Sequence, residues 1–241
     1  MAQLPQLKAM LASKERKNMK LLTYWTSGAS LIAIILFIGA CINKMPTDKP
    51  GTVIIVNGPS AVGKSSILKA FQAKQEKLWL SIGIDNFFVG VLPPNFFLED
   101  NPKRPSVMTL VITKDFEGPT ATAVFGTEGK KIMYGMHHAI AAYARAGNNV
   151  IVDYIKYEPE FLADLQAALH GIKVIWVGVT AKLETIQERE KKRATSPQGH
   201  ARSVYHTVHQ GIKYDLMLNT DTLTPEQSAD KIIEFVKKES R

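Results

Sequence analysis

From residue 51 onward the chain alternates short apolar runs with amphipathic stretches. Val53-Ile54-Ile55-Val56 is four β-branched residues in a row, the pattern of a strand buried on both faces. Further apolar runs cover 79–85, 149–153, 173–179 and 214–219. Helical patterns lie between them, over 64–76, 128–146, 159–170 and 183–193. In the second of these Ile132, Met136, Ile140 and Tyr143 share one face, and Gly147 closes the helix. A last helix opens at Thr224-Pro225-Glu226, with Thr as cap and Pro at the first position, and buries Ala229, Ile232, Ile233 and Val236. Five apolar strands separated by helices predict an α/β fold: a three-layer domain around a five-stranded parallel sheet. Residues 86–135 break the alternation with prolines and phenylalanines, and only 107–112 reads as a strand. That stretch is either a cover over a substrate or an insertion with a small core of its own.

The first fifty residues are patterned differently. Residues 21–42 form a run of 22 without a charge, long enough to cross a bilayer as a helix, and Lys14, Arg16, Lys17 and Lys20 precede it. It reads as an N-terminal membrane anchor or as a lipoprotein signal ending in Ile38-Gly39-Ala40-Cys41. The alternative is a start near Met45, which leaves a cytoplasmic domain. Met45 to Pro50 is a polar linker, so the expected division is 1–50 and 51–241.

The turn after the first strand carries the clearest chemistry. Gly58-Pro59-Ser60-Ala61-Val62-Gly63-Lys64-Ser65-Ser66 fits the P-loop pattern, between a strand and a helix as that pattern requires. Its glycines free the backbone to turn its N–H groups toward an anion at a helix N-terminus. Lys64 can reach the β- and γ-phosphates of ATP, and the Ser65 hydroxyl can ligate Mg²⁺. Asp85 closes the second apolar run, where ligands of open parallel sheets sit, although a helix-cap role is open to it. Asp153 closes the third run as a Walker B carboxylate does, holding Mg²⁺ directly or through water. The basic end of the 183–193 helix leads into a Ser/Pro/Gly loop, as in the lid of small-molecule kinases. His137 and His138 are adjacent and cannot share a helix face, and His206 and His209 have no Glu or Cys companion, so neither pair suggests a metal site.

Composition adds limits. The net charge is +8, but the first fifty residues hold +5 of it, and no basic patch is interleaved with aromatics, which argues against nucleic acid as a partner. A single Cys excludes an internal disulfide framework. The absence of G-x-G-x-x-G from the first turn argues against a nicotinamide enzyme, and the absence of N-K-x-D against a GTPase.

Several stretches together resemble the chloramphenicol phosphotransferase-like family of P-loop kinases: IIVNGPSAVGKSS, LSIGIDNF, AAYARAGNNVIVD, VIWVGV, QEREKKR and HTVHQGIKYDLMLNTD, spread over 52–236. The resemblance implies ATP-dependent phosphorylation of a small-molecule hydroxyl, with Asp85 as general base and Arg189 and Arg193 in the lid. Two positions depart from the family. Arg193 continues into Ala-Thr-Ser-Pro instead of Gly-Asp-Arg, and Tyr154 stands where a second carboxylate often follows Asp153. The competing expectation is a membrane-tethered ATP-binding module, or an effector acting on a macromolecule.

Overall fold

The computed structural model describes residues 49–94, 96–97, 101–193 and 197–239; the apolar 21–42 run lies outside the described residues. Among the described residues no helix is long and apolar enough to cross a membrane. The elements in order are β1 (Val53–Asn57), α1 (Lys64–Ala73), β2 (Trp79–Gly83), α2 (Ile84–Phe88), α3 (Arg104–Val107), β3 (Met108–Asp115), β4 (Gly118–Phe125), α4 (Thr127–Arg145), β5 (Asn149–Tyr154), α5 (Pro159–Ala168), β6 (Val174–Thr180), α6 (Leu183–Lys191), α7 (His200–Tyr205), β7 (Leu216–Asn219) and α8 (Pro225–Glu239).

Five strands form one parallel sheet in the order β2-β5-β1-β6-β7. β1 lies at its centre with every residue buried, as an uninterrupted β-branched run demands. Alternate residues of the strands feed two cores. Val53, Ile55, Val150 and Val152 pack with Met133, Met136 and Ile140 of α4 and with Phe161 and Leu165 of α5. Ile54, Val56, Ile151 and Val177 pack with Ile67 and Phe71 of α1 and with Ala229 and Ile232 of α8. Helices cover both faces, giving the three layers expected. α8 starts as its sequence predicts: Thr224 Oγ1 accepts from Gln227 N at 3.2 Å, and Gln227 Oε1 accepts from Thr224 N at 2.9 Å.

Three details differ from the sequence reading. β2 is an edge strand with Ser81 exposed, where its apolar run suggests a buried strand. It also stops at Gly83, whose N–H donates to Asn86 Oδ1 at 2.7 Å; this local bond turns the chain into α2, and Asp85 falls in that helix's first turn. Tyr143 is exposed, whereas Met133, Met136 and Ile140 carry the packed face of α4.

The irregular central stretch holds a second strand that its sequence hid. β3 and β4 pair antiparallel from Met108↔Phe125 to Asp115↔Gly118. β4 begins Gly-Pro, which reads as a breaker, yet Pro119 sits near the end of a two-stranded ribbon, where a missing N–H costs little. Among its described residues the stretch has no separate core: Phe88, Phe96, Val107 and Phe125 join the α4–α5 side of the main core.

On the packed face of α4, His137 is fully buried, with Nδ1 2.6 Å from Asp164 Oδ2 and Nε2 3.2 Å from the Tyr154 hydroxyl. Burial pushes this imidazole below its ordinary value, against the pull of Asp164, and burial likewise lowers His200 and His209. The unfolded chain therefore binds more protons than the folded one once the pH falls below about 6.5. Stability from these three groups is complete above that pH and is lost as the pH falls through it. The urea midpoint is expected to drop between about pH 7.5 and about 5.5, with a shallower slope in His137→Gln. An unchanged slope in that variant would exclude His137 as a contributor.

Candidate active site

The sheet register sets the site. Asp153 pairs with Val56 of β1 on one side and Gly83 of β2 on the other. The loop after Asn57 and the turn after Gly83 therefore leave the sheet at the same level as the Asp153 carboxylate, at the carboxyl ends of the strands. The loop of residues 58–63 curls over that edge. Gly63 has φ +106° and is the left-handed residue that opens α1, and Ala61 is left-handed too, at φ +57°. A Cβ on Gly58 would collide with the Val179 carbonyl oxygen. Both glycines of the motif are thus required by backbone, one for its dihedral and one for a close approach.

Lys64 is 5% exposed; its Nζ donates to the Pro59 carbonyl at 2.9 Å and lies 3.4 Å from Asp153 Oδ1. Burial pushes its pKa down; Asp153 opposes that shift most strongly, and Arg193 adds to it. The Ser65 hydroxyl donates to Asp153 Oδ2 at 2.6 Å. These groups line a cleft of about 900 Å³ whose walls also include Asp85 and Arg193. Phe88, Phe96, Leu110, Ala123 and Phe125 add an apolar part to the wall, beside polar groups such as Asn86, Arg104 and His200. Leu110, Ala123 and Phe125 come from the inner face of the β3–β4 hairpin, so the central stretch covers the cleft.

Arg189 is placed differently from Arg193. Its Nη1 donates to Thr220 Oγ1 at 2.9 Å and to the P-loop carbonyl of Val62 at 3.3 Å, and its Nη2 to the Thr220 carbonyl at 2.9 Å. It does not line the cleft with Arg193. Tyr154, at the family's second-carboxylate position, points into the opposite core and is fully buried beside His137. Successive strand residues face opposite ways, so Asp153 and Tyr154 cannot serve the same side. Among the described residues no His, Cys, Asp or Glu cluster has the makings of a metal site of its own; His206 is exposed, and His209 is bonded to the Tyr214 hydroxyl at 2.8 Å.

Glu190 was hidden inside the charged QEREKKR run. It is 1% exposed, and its two carboxylate oxygens accept from Gly199 N at 2.7 Å and Ala201 N at 2.8 Å. It therefore ties the start of α7 back to α6, across the segment that follows Arg193. Arg202 on α7 completes a second tie, to the hairpin turn: it donates to the Gly118 carbonyl at 2.8 Å, to Asp115 at 2.6 Å and to Glu117 at 2.9 Å. Only the alternation of buried Ile186 and Glu190 along α6 could have hinted at the former, and a run of seven polar residues conceals it.

Glu190→Gln keeps the shape but turns one acceptor into a donor facing a backbone N–H. It should cost about 1–3 kcal/mol of stability, the usual penalty for an unmatched buried polar group. Urea unfolding of the two proteins side by side would measure it, and equal midpoints would mean that one amide bond suffices.

Comparison with known proteins agrees with this architecture. The family model for chloramphenicol phosphotransferase-like protein matches residues 51–237. A Mycobacterium tuberculosis protein provisionally named an O-phosphotransferase is 32% identical over 176 residues, which is 73% of this chain and 77% of that one. Among solved structures, a sugar kinase from a Janibacter species superposes with TM-score 0.54 at 16% identity, covering 78% of this chain and 95% of the kinase. The Mycobacterium tuberculosis APS kinase in complex with AMPPNP and APS gives 0.53 at 18%, covering 78% and 99%. A Deinococcus radiodurans tunicamycin resistance protein gives 0.52 at 19%, covering 77% and 95%. At such identities these structures share the P-loop kinase fold.

Proposed function

Since the chain belongs to the chloramphenicol phosphotransferase-like family, we propose that it is an ATP-dependent phosphotransferase whose acceptor is a hydroxyl of a small molecule: ATP + R–OH gives ADP + R–OPO₃. The observation that carries this is one shared cleft. P-loop residues with Lys64, Asp153, Asp85 and Arg193 line it together with aromatic and apolar side chains, among them Phe88, Phe96 and Phe125.

Each group has a task. The backbone N–H groups of residues 60–66 cradle the phosphates at the N-terminus of α1. Lys64 leaves the Pro59 carbonyl to meet the transferred phosphate. Ser65 and Asp153 offer hard oxygens 2.6 Å apart, the donor type that suits Mg²⁺, which takes one or two protein oxygens and completes its shell with phosphates and water. That ion, when bound, would neutralise phosphate charge. Asp85 takes the proton of the acceptor hydroxyl as its oxygen attacks, and Arg193 balances the charge on the moving phosphoryl group. Arg189 fastens α6 to the P-loop carbonyl of Val62.

A pure nucleotide-binding module needs no carboxylate at the position of Asp85. Asp85→Asn is therefore expected to keep nucleotide affinity and to lower kcat by roughly 10²–10⁴-fold. ADP release over a panel of hydroxyl compounds, with product mass, would measure the loss. Unchanged transfer would remove Asp85 from the mechanism.

We further propose that residues 21–42 hold the full chain to a membrane, because 22 uncharged, mostly apolar residues match the bilayer core. Fractionation of native cells is expected to place the chain in the membrane pellet. A mature N-terminus near Met45 in the supernatant would reject the anchor, and lipid on Cys41 would select the lipoprotein form.

A further inference from the structure

The segment that carries Arg193 and the cover of the acceptor chamber meet at two side chains that no role above uses. Tyr157 follows Asp153 by four residues, and His200 is the first residue of α7. Their rings are stacked within 9° of parallel, centroids 5.8 Å apart, with the Tyr157 hydroxyl 3.1 Å from His200 Nε2. Both line the cleft with Asp85 and Arg193. Tyr157 also packs on Phe125, from the inner face of the hairpin, at 5.1 Å. His200 sits between Gly199 and Ala201, whose amides Glu190 holds. Arg193 follows in turn, its N–H donating to the Glu190 carbonyl at 2.9 Å. One chain of contacts thus runs from Phe125 through Tyr157, His200 and Glu190 to Arg193.

We propose that His200 is a positioning residue for phosphoryl transfer: stacked on and hydrogen-bonded to Tyr157, it sets the segment bearing Arg193 against the acceptor chamber. The acceptor under the hairpin and the arginine facing the phosphates are then registered by the same contact. This role rests on the phosphotransfer function proposed above. The charges around the pair support its placement. Burial pushes the Tyr157 hydroxyl up, with Asp85 and Asp153 adding to the shift. Burial pushes the His200 imidazole down, Glu190 and Asp85 opposing and Lys64 reinforcing. Both partners are therefore neutral near pH 7, and their hydrogen bond adds no charge to a wall that already holds Lys64, Asp85 and Arg193.

Tyr157→Phe keeps the ring and removes the bond; His200→Ala removes both bond and stack; His200→Gln restores a polar group at the reach of Nε2. Two readouts are taken on the full chain: ADP release from Mg²⁺-ATP with water and with each compound of the hydroxyl panel, and tryptic cleavage after Arg193 with and without AMPPNP. Tyr157→Phe and His200→Ala should each lower kcat about tenfold, the worth of one well-placed hydrogen bond, with the KM for ATP within about twofold. Cleavage after Arg193 should quicken in both, and His200→Gln should recover most of kcat. Wild-type kcat and cleavage rates in Tyr157→Phe would overturn the proposal, as would a loss that appears only as a raised KM or that His200→Gln fails to reverse. Absence of ADP release from the wild-type chain with every acceptor would instead count against phosphotransfer itself, and the cleavage rates would still decide whether the pair holds the Arg193 segment.

Discussion

The parallel register around Asp153 is the constraint on which the site depends. A parallel ladder offers no tight turns, so each strand must leave the sheet at its carboxyl end and return by a helix. Where Val56, Asp153 and Gly83 share one level, three separate connections open at the same height. One becomes the loop of residues 58–63, one supplies a carboxylate, and one turns at once into a helix with a second carboxylate. A slip of one residue in β5 would exchange Asp153 for Tyr154 on the site face and drive a charge into the core beside His137. The apolar residues Val150 and Val152 on one face and Ile151 on the other resist that slip.

What could be read from the chain in advance was what local chemistry dictates. β1 and the P-loop are legible because a buried strand, two obligatory glycines and a Lys-Ser pair follow one another without interruption. The caps of α8 are legible for the same reason. β4 was not, because Gly118 and Pro119 mark a break, and only pairing with β3 makes the stretch extended. The edge position of β2 was not either, since strand order is a tertiary fact; Trp79 and Ile82 alone suggest burial.

The site shows the same division. Lys64, Ser65 and Asp153 follow from motif spacing. Arg189 and Arg193 look equivalent in a basic run, yet the helix ends at Lys191, so Arg189 stays on it and Arg193 leaves it. One meets Thr220 and the other the cleft. Glu190 between them is a buried acid in a stretch whose composition promises only solvent. Its partners are backbone amides of Gly199 and Ala201, and backbone amides leave no trace in a side-chain pattern.

The clasp of Arg202 on the hairpin turn separates two kinds of freedom. The guanidinium grips a carbonyl and two carboxylates at the tip, while Phe116 between those carboxylates stands 97% exposed. On the inner face Leu110 and Ala123 pair across the two strands and line the cleft, while Phe125 is held in the core against Phe88, Tyr157 and Phe161. The side chains at 110 and 123 can change in shape and size while the hairpin keeps its hold on α7. The cover thus behaves as an interchangeable lining on a fixed hinge plate: an ancestral chain could acquire a new acceptor by altering its lining without rebuilding the machinery that handles phosphate.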